Sequence, residues 1–188
     1  MQGATARMMS RIPYPDQATL PDHVRQMIAR TPLNIVRMAA HASPALFEAQ
    51  GALSYAIARP DVLDPKVRET VILVVASVTE SAYELHQHVP LARAAGLSDR
   101  DICAIRGGNY DQLDSLLGVI AEFAAATVRD PSPPDALIAS MRRQVSDQIL
   151  VNIVLTIGCY MAVARLIGVA GIAVDDNQLA ALPTGLPE

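Results

Sequence analysis

Three times before residue 66, a residue with a short oxygen-bearing side chain is followed directly by proline: Thr31-Pro32, Ser43-Pro44 and Asp64-Pro65. Such a side chain can satisfy a free backbone N–H at a helix start, and a proline at the first helical position loses no helical hydrogen bond. Each pair therefore marks a helix start, with the second helix running to about Ala58 and the third to about Val78. Pro21-Asp22 opens an earlier amphipathic stretch to Arg30. Gly96 closes a further helix, and Ser98-Asp99 caps a short one that stops at Gly107-Gly108. A long helix is expected from Asp111 to Arg129, then a hard break at Asp130-Pro131-Ser132-Pro133-Pro134. A helix follows from about Asp135 to Val145, and Ser146 caps the last, to about Val169. The run Val71 to Val75 is β-branched and compatible with a short buried strand, but it lies between two caps with no turn signal inside, which favours helix. The expectation is an all-α, single-domain bundle of eight or nine helices.

Composition narrows the function classes. The 188 residues are 51% hydrophobic and 18% charged, so the chain can bury a core and disorder is excluded for most of it. Aromatics are only 4%, which suits closely packed helices, and the apolar surplus suits burial against other subunits. The net charge is −4 with no basic stripe, so nucleic acid is not an expected partner. Cys103 and Cys159 form no CxxC pair, which argues against a disulfide framework or a Cys-rich zinc site; both are expected in packed helix interiors. The opening MQGATARMMSRIPYP lacks the continuous apolar stretch of a secretory signal, and the expected location is the cytoplasm. The uncharged stretch from Gln148 to Ala164 is at the short end of a membrane span and contains Gln148 and Asn152. A helix buried in an assembly fits it better, and no membrane partner is expected.

The polar residues that stand out lie in one window, from Arg68-Glu69 to His86-Gln87-His88. Glu84 and His88 are four residues apart and share a helix face. Glu69 lies just before an unbroken apolar run. Each has a structural reading as well. Ser81 and Glu84 fit a capping box, His88 could be a hydrogen-bonded core histidine, and Glu69 could be first-turn charge opposing the helix dipole. Glu84, His88 and Glu69 could alternatively ligate a divalent ion, a spacing that permits metal without specifying it. His86 should face away from His88, to the surface or an interface. Pro90 should disturb the helix beside His88. His23 and His41 are isolated and suit surface or helix-end roles.

In this window the chain resembles the carboxymuconolactone decarboxylase family of the alkylhydroperoxidase D-like superfamily. The superfamily's peroxidase signature is a Glu, eleven residues, Cys-x-x-Cys, three residues and a His. From Glu69 that frame lands on Ser81 and Glu84 for the two Cys and on His88 for the His, so the frame is kept and both thiols are gone. The stretch from Tyr83 to Ser98 is similar to a Cys-free branch that reads EYEW, two residues, then HVPLARAAGL; here Ala82 stands for the leading Glu and Leu85 for the Trp. Arg11-Ile12-Pro13, the segment from Pro32 to Met38 and the Ser146-Asp147 helix resemble the same branch. The expected organisation is an arm over residues 1–19, a helical domain over 20–174 and a loose tail over 175–188. The resemblance implies assembly as a trimer or hexamer, with the site in an apolar cleft near a subunit interface where Glu69, Glu84 and His88 converge.

Thiol peroxidase chemistry needs a peroxidatic and a resolving thiol, and this frame holds neither. A carboxylate–imidazole pair in an apolar pocket performs proton transfer. The expected function is a cofactor-independent acid/base enzyme, of lyase (decarboxylase) or isomerase type, acting on a small lactone, enol or β-carbonyl acid. His88 would be the principal acid/base, Glu84 would orient it or share its proton, and Glu69 would support the pair or carry a second proton. Tyr83, Asn152 and Tyr160 are candidate donors to substrate. The alternatives are a dehydratase, cyclase or metal-dependent enzyme on the same scaffold, or a non-catalytic oligomeric ligand-binding protein.

Overall fold

The computed structural model describes residues 10–179; these fold into nine α-helices and two short 3-10 turns, with no strand among the described residues. In chain order the helices are α1 (Asp22–Arg30), α2 (Asn34–Ala39), α3 (Pro44–Ala58), α4 (Pro65–Val78), α5 (Ala82–Ala94), α6 (Asp99–Gly107), α7 (Ser115–Arg129), α8 (Asp135–Gln144) and α9 (Asp147–Ala170).

The centre of the fold is α4, surrounded by α5, α6, α7 and α9. Its start follows from Asp64, whose carboxylate accepts from the Lys66 and Val67 N–H groups at 2.8 and 3.2 Å. Every residue from Arg68 to Ala76 is buried. That enclosure explains the β-branched run: Val71 to Val75 is helical, and its branched side chains fill a core on every face of the helix instead of one. The 3-10 turn and α1–α3 form an outer layer over α5 and α9, with their own small core of Val24, Ile28, Ala40 and Phe47.

Two helix starts differ from the sequence expectation. Thr31-Pro32 does not open α2; Thr31 ends α1, and α2 begins at Asn34. Its first two N–H groups are capped from distant chain, by the Asp175 carboxylate (Asn34 N–H, 2.9 Å) and the Tyr83 hydroxyl (Ile35 N–H, 3.2 Å). Helix α7 begins at Ser115 rather than Asp111, because Asp114 caps it through the Leu117 N–H (2.9 Å) and residues 110–112 form a 3-10 turn.

Residues 175–179, expected as a loose tail, are pinned along α5, whereas 1–9 of the expected arm and 180–188 of the tail lie outside the described residues. Pro90 lacks the N–H that would pair with the His86 carbonyl one turn back; the Gln178 side chain donates to that carbonyl instead, at 3.2 Å. The Gln87 side chain meets the same segment three times, donating to the Asp175 carboxylate (3.3 Å) and the Asn177 carbonyl (3.0 Å) and accepting from the Leu179 N–H (2.8 Å).

Candidate active site

Glu69 lies in the second turn of α4 and is fully buried. A lone carboxylate there would be costly, and both of its oxygens are matched. Oε1 accepts from Arg68 Nε at 3.0 Å, and Oε2 pairs with His88 Nδ1 at 2.9 Å. Arg68 is itself anchored by donating to the Ala58 carbonyl at 2.8 Å, which ties the end of α3 to the same point. With Nδ1 donating to Glu69, the His88 lone pair stands on Nε2. The Tyr160 ring packs edge-on against the imidazole, with centroids 5.1 Å apart at 83°.

The histidine's carboxylate partner is thus Glu69, across two helices, and not the i−4 residue Glu84 on its own helix. Glu84 has a different environment. Ser81 Oγ accepts from the Glu84 N–H at 3.4 Å, which is one half of a capping box. The other half is missing because the Ser81 N–H is already taken by the Ala76 carbonyl at 2.8 Å. The Glu84 carboxylate is left 98% buried with neither oxygen hydrogen-bonded among the described residues. Burial pushes this carboxyl up to about 7.

His88 and Glu84 both line a cavity of about 630 Å³ between the α1–α3 layer and α5 and α9. Tyr83, Gln87, Tyr160 and Leu179 also line it, as do apolar residues of α2 and α3. Glu69 is not part of its wall and touches it only through His88. Among the described residues no three His, Cys, Asp or Glu side chains stand where they could hold a metal ion, so the ligand set Glu69, Glu84 and His88 is not assembled.

The three candidate donors separate. Tyr160 is buried at the cavity wall against His88. Tyr83 lines the cavity, but its hydroxyl donates to Asp175 and accepts from the Ile35 N–H, so it is already committed to the fold. Asn152, expected as a donor to substrate, does not line the cavity; its amide donates to the Val62 carbonyl at 2.9 Å, tying α9 to the loop before α4. His86, expected at the surface or an interface, is half-buried with Nε2 enclosed. His23 pairs with Glu48 at an exposed site, and His41 contacts the Pro13 carbonyl. Cys103, expected in the core, is exposed because it falls on the outer face of α6. Cys159 is buried beside Gln50 and Ser54, and burial pushes its thiol up, away from thiolate reactivity.

Three residues that build the site received no role from the sequence: Arg68 and Gln87, although both lie in the polar window, and Asp175. Arg68 had a usable signal, a cation adjacent to Glu69 at the edge of an apolar helix. Gln87 and Asp175 had none, since their partners are about ninety residues away in sequence or further.

Residues 44–128 match the carboxymuconolactone decarboxylase family. This stretch spans α3 to α7 and contains Arg68, Glu69, Glu84 and His88. No curated protein matches the chain. Among solved structures, the chain is similar to an alkylhydroperoxidase AhpD core, an uncharacterized peroxidase-related protein from Ralstonia eutropha JMP134. That likeness has a TM-score of 0.78 and 21% identity, covering 91% of this chain and 95% of that one. It is also similar to an uncharacterized peroxidase-related protein from Silicibacter sp. TM1040, with a TM-score of 0.74 and 17% identity, covering 93% and 96%. At these identities the likeness establishes the fold.

Proposed function

Because the chain belongs, through residues 44–128, to the carboxymuconolactone decarboxylase family, we propose that it is a cofactor-independent proton-transfer enzyme, of lyase or isomerase type, acting on an enolisable carbonyl compound such as a lactone, enol or β-carbonyl acid. The observation that carries this reading is the contrast between two buried carboxyls. Glu69 is paired at both oxygens, while Glu84 is unpaired in the cavity wall. Two titratable groups in environments that differ this much suit opposite roles.

Glu69 fixes the orientation of the imidazole by accepting from Nδ1. His88 Nε2 is then the base that removes a proton from carbon, or whose conjugate acid returns one. Glu84, with a carboxyl near 7, is available protonated at neutral pH to donate a hydrogen bond to the carbonyl oxygen as it gains charge. In a decarboxylation the electrons of the breaking C–C bond move to that oxygen, carbon dioxide leaves, and the enolate takes a proton at carbon. In an isomerisation the same two groups remove and return a proton at different atoms. The peroxidase-related names of the structural relatives do not carry over by the thiol route, since Ser81 and Glu84 occupy the two thiol positions.

The test is proton NMR in D₂O with a panel of γ-carboxylated lactones and β-keto acids, alongside His88→Gln. Deuterium gained on substrate carbon, absent in the variant, is the expected result. Exchange that persists unchanged in His88→Gln would overturn the assignment.

A further inference from the structure

The cavity wall also constrains what the site accepts. Its volume of about 630 Å³ lies within the range of about 300–1,000 Å³ that holds drug-sized ligands. A single small lactone ring would leave much of it unfilled. The wall is mainly apolar, with Leu33, Val36, Phe47, Val163 and Leu166 among its members. Of the described residues that line it, one is acidic, Glu84, and one is an Arg or Lys, Arg30. The two differ in exposure. Glu84 and His88 are buried, whereas Arg30, the last residue of α1, is exposed and has no hydrogen bond or ion pair among the described residues. The cavity therefore has a cation where it meets solvent, an acid/base pair at its buried end, and apolar wall besides.

We infer that the site takes an amphipathic monoacid, whose anionic group pairs with Arg30, whose apolar body lies against the α2, α3 and α9 side chains, and whose neutral enolisable carbonyl faces His88 and Glu84. This rests on the reading of His88 and Glu84 as a proton-transfer centre and narrows it. A small polyanionic lactone is disfavoured, because a second carboxylate would be desolvated in apolar wall beside Glu84 with no cation to meet it. With the single acid group held at the mouth, no carboxylate reaches the buried end to be lost. The chemistry there is a proton shift: a C–H bond α to the carbonyl breaks toward His88 Nε2, the electron pair moves to the carbonyl oxygen facing Glu84, and the proton is returned at another atom of the enolate.

Saturated probes separate binding from chemistry. Calorimetry on the intact protein at pH 8 with hexanoate, heptanoate and octanoate should show affinity rising about fourfold per methylene, the equivalent of about 0.8 kcal/mol. Arg30→Gln, a change at an exposed side chain, should weaken octanoate about tenfold and leave octan-1-ol unchanged, and octanedioate should bind at least tenfold more weakly than octanoate. The His88 ring proton resonance should move during the octanoate titration, and His88→Gln should bind octanoate as well as the native chain. No binding, no dependence on chain length, equal affinity in Arg30→Gln, octanedioate as tight as octanoate, or an unmoved His88 resonance would each overturn the inference. Octanoate binding as expected without deuterium exchange on any carbonyl substrate would sink the proton-transfer reading alone. Exchange on substrates without octanoate binding would sink the ligand class alone.

Discussion

Glu69 and Glu84 are both buried glutamates on adjacent helices, and their neighbours give them opposite properties. Glu69 stands between Arg68 and His88 and has a partner at each oxygen. Replacing it with Gln keeps the volume but removes the charge that balances buried Arg68, so Glu69→Gln should lose about 3 kcal/mol in urea unfolding. With the imidazole no longer held by a carboxylate, the exchange rate should fall on the order of 10²-fold. Glu84 should do the reverse. Its folded carboxyl is near 7 against an ordinary 4.5, so the folded state holds a proton that the unfolded chain has released between those values. Native stability should therefore fall as pH rises from about 4.5 through 7 and level off above, by at most about 3 kcal/mol in total. Glu84→Gln should abolish that slope and be at least as stable as the native chain at pH 8. Urea melts at pH 4.5 and 8 decide it, and identical profiles for the two proteins would show that the Glu84 carboxyl is not held neutral.

At the scale of elements, the site depends on the joint between α4 and α5 and on the C-terminal segment laid along α5. The joint is closed by Glu80, a non-glycine residue at φ 54°. A Cβ is strained in that left-handed region, so Glu80→Gly should raise stability by up to about 1 kcal/mol in thermal unfolding, and a lower melting temperature in the variant would show that the joint is not strained. The C-terminal segment is held by Asp175, which meets Asn34, Tyr83 and Gln87. Asp175→Asn should cost about 1–2 kcal/mol and speed hydrogen exchange at the Asn34 and Leu179 amides; unchanged exchange there would mean the segment is held by Gln87 and Gln178 alone. The same two places show what was legible beforehand. Asp64-Pro65 and Ser146 announce α4 and α9 because a cap is a local interaction between neighbours. Asn34 at the start of α2 could not be read, because its cap comes from Asp175 and replaces the local signal at Thr31-Pro32. The paired half of the site follows the same rule. Glu84 and His88 are visible as a shared helix face, whereas the partner that His88 takes depends on where α4 packs.

At the scale of the whole molecule, α9 stands out. It is the one helix among the described residues long and apolar enough to cross a membrane. Its buried face (Ile153, Thr156, Ile157 and Tyr160) packs on the core beside the cavity. Its other face exposes Val151, Val154 and Leu155, then Val169, and Leu46 and Leu53 of neighbouring α3 are exposed as well. A helix bonded into a folded core on one side is not free to leave it for lipid, while apolar residues recurring at three- and four-residue spacing on the other side make a surface suited to another helix. We propose that further copies of this chain cover that face, in the trimer or hexamer that the sequence resemblance implies. Sedimentation of the native chain should then give a multiple of 20.1 kDa, and Val151→Glu with Leu155→Glu should give the 20.1 kDa monomer with its helical circular dichroism kept. A native monomer in dilute buffer would overturn the assembly, and a native chain that sediments only with lipid vesicles would assign the face to a membrane instead.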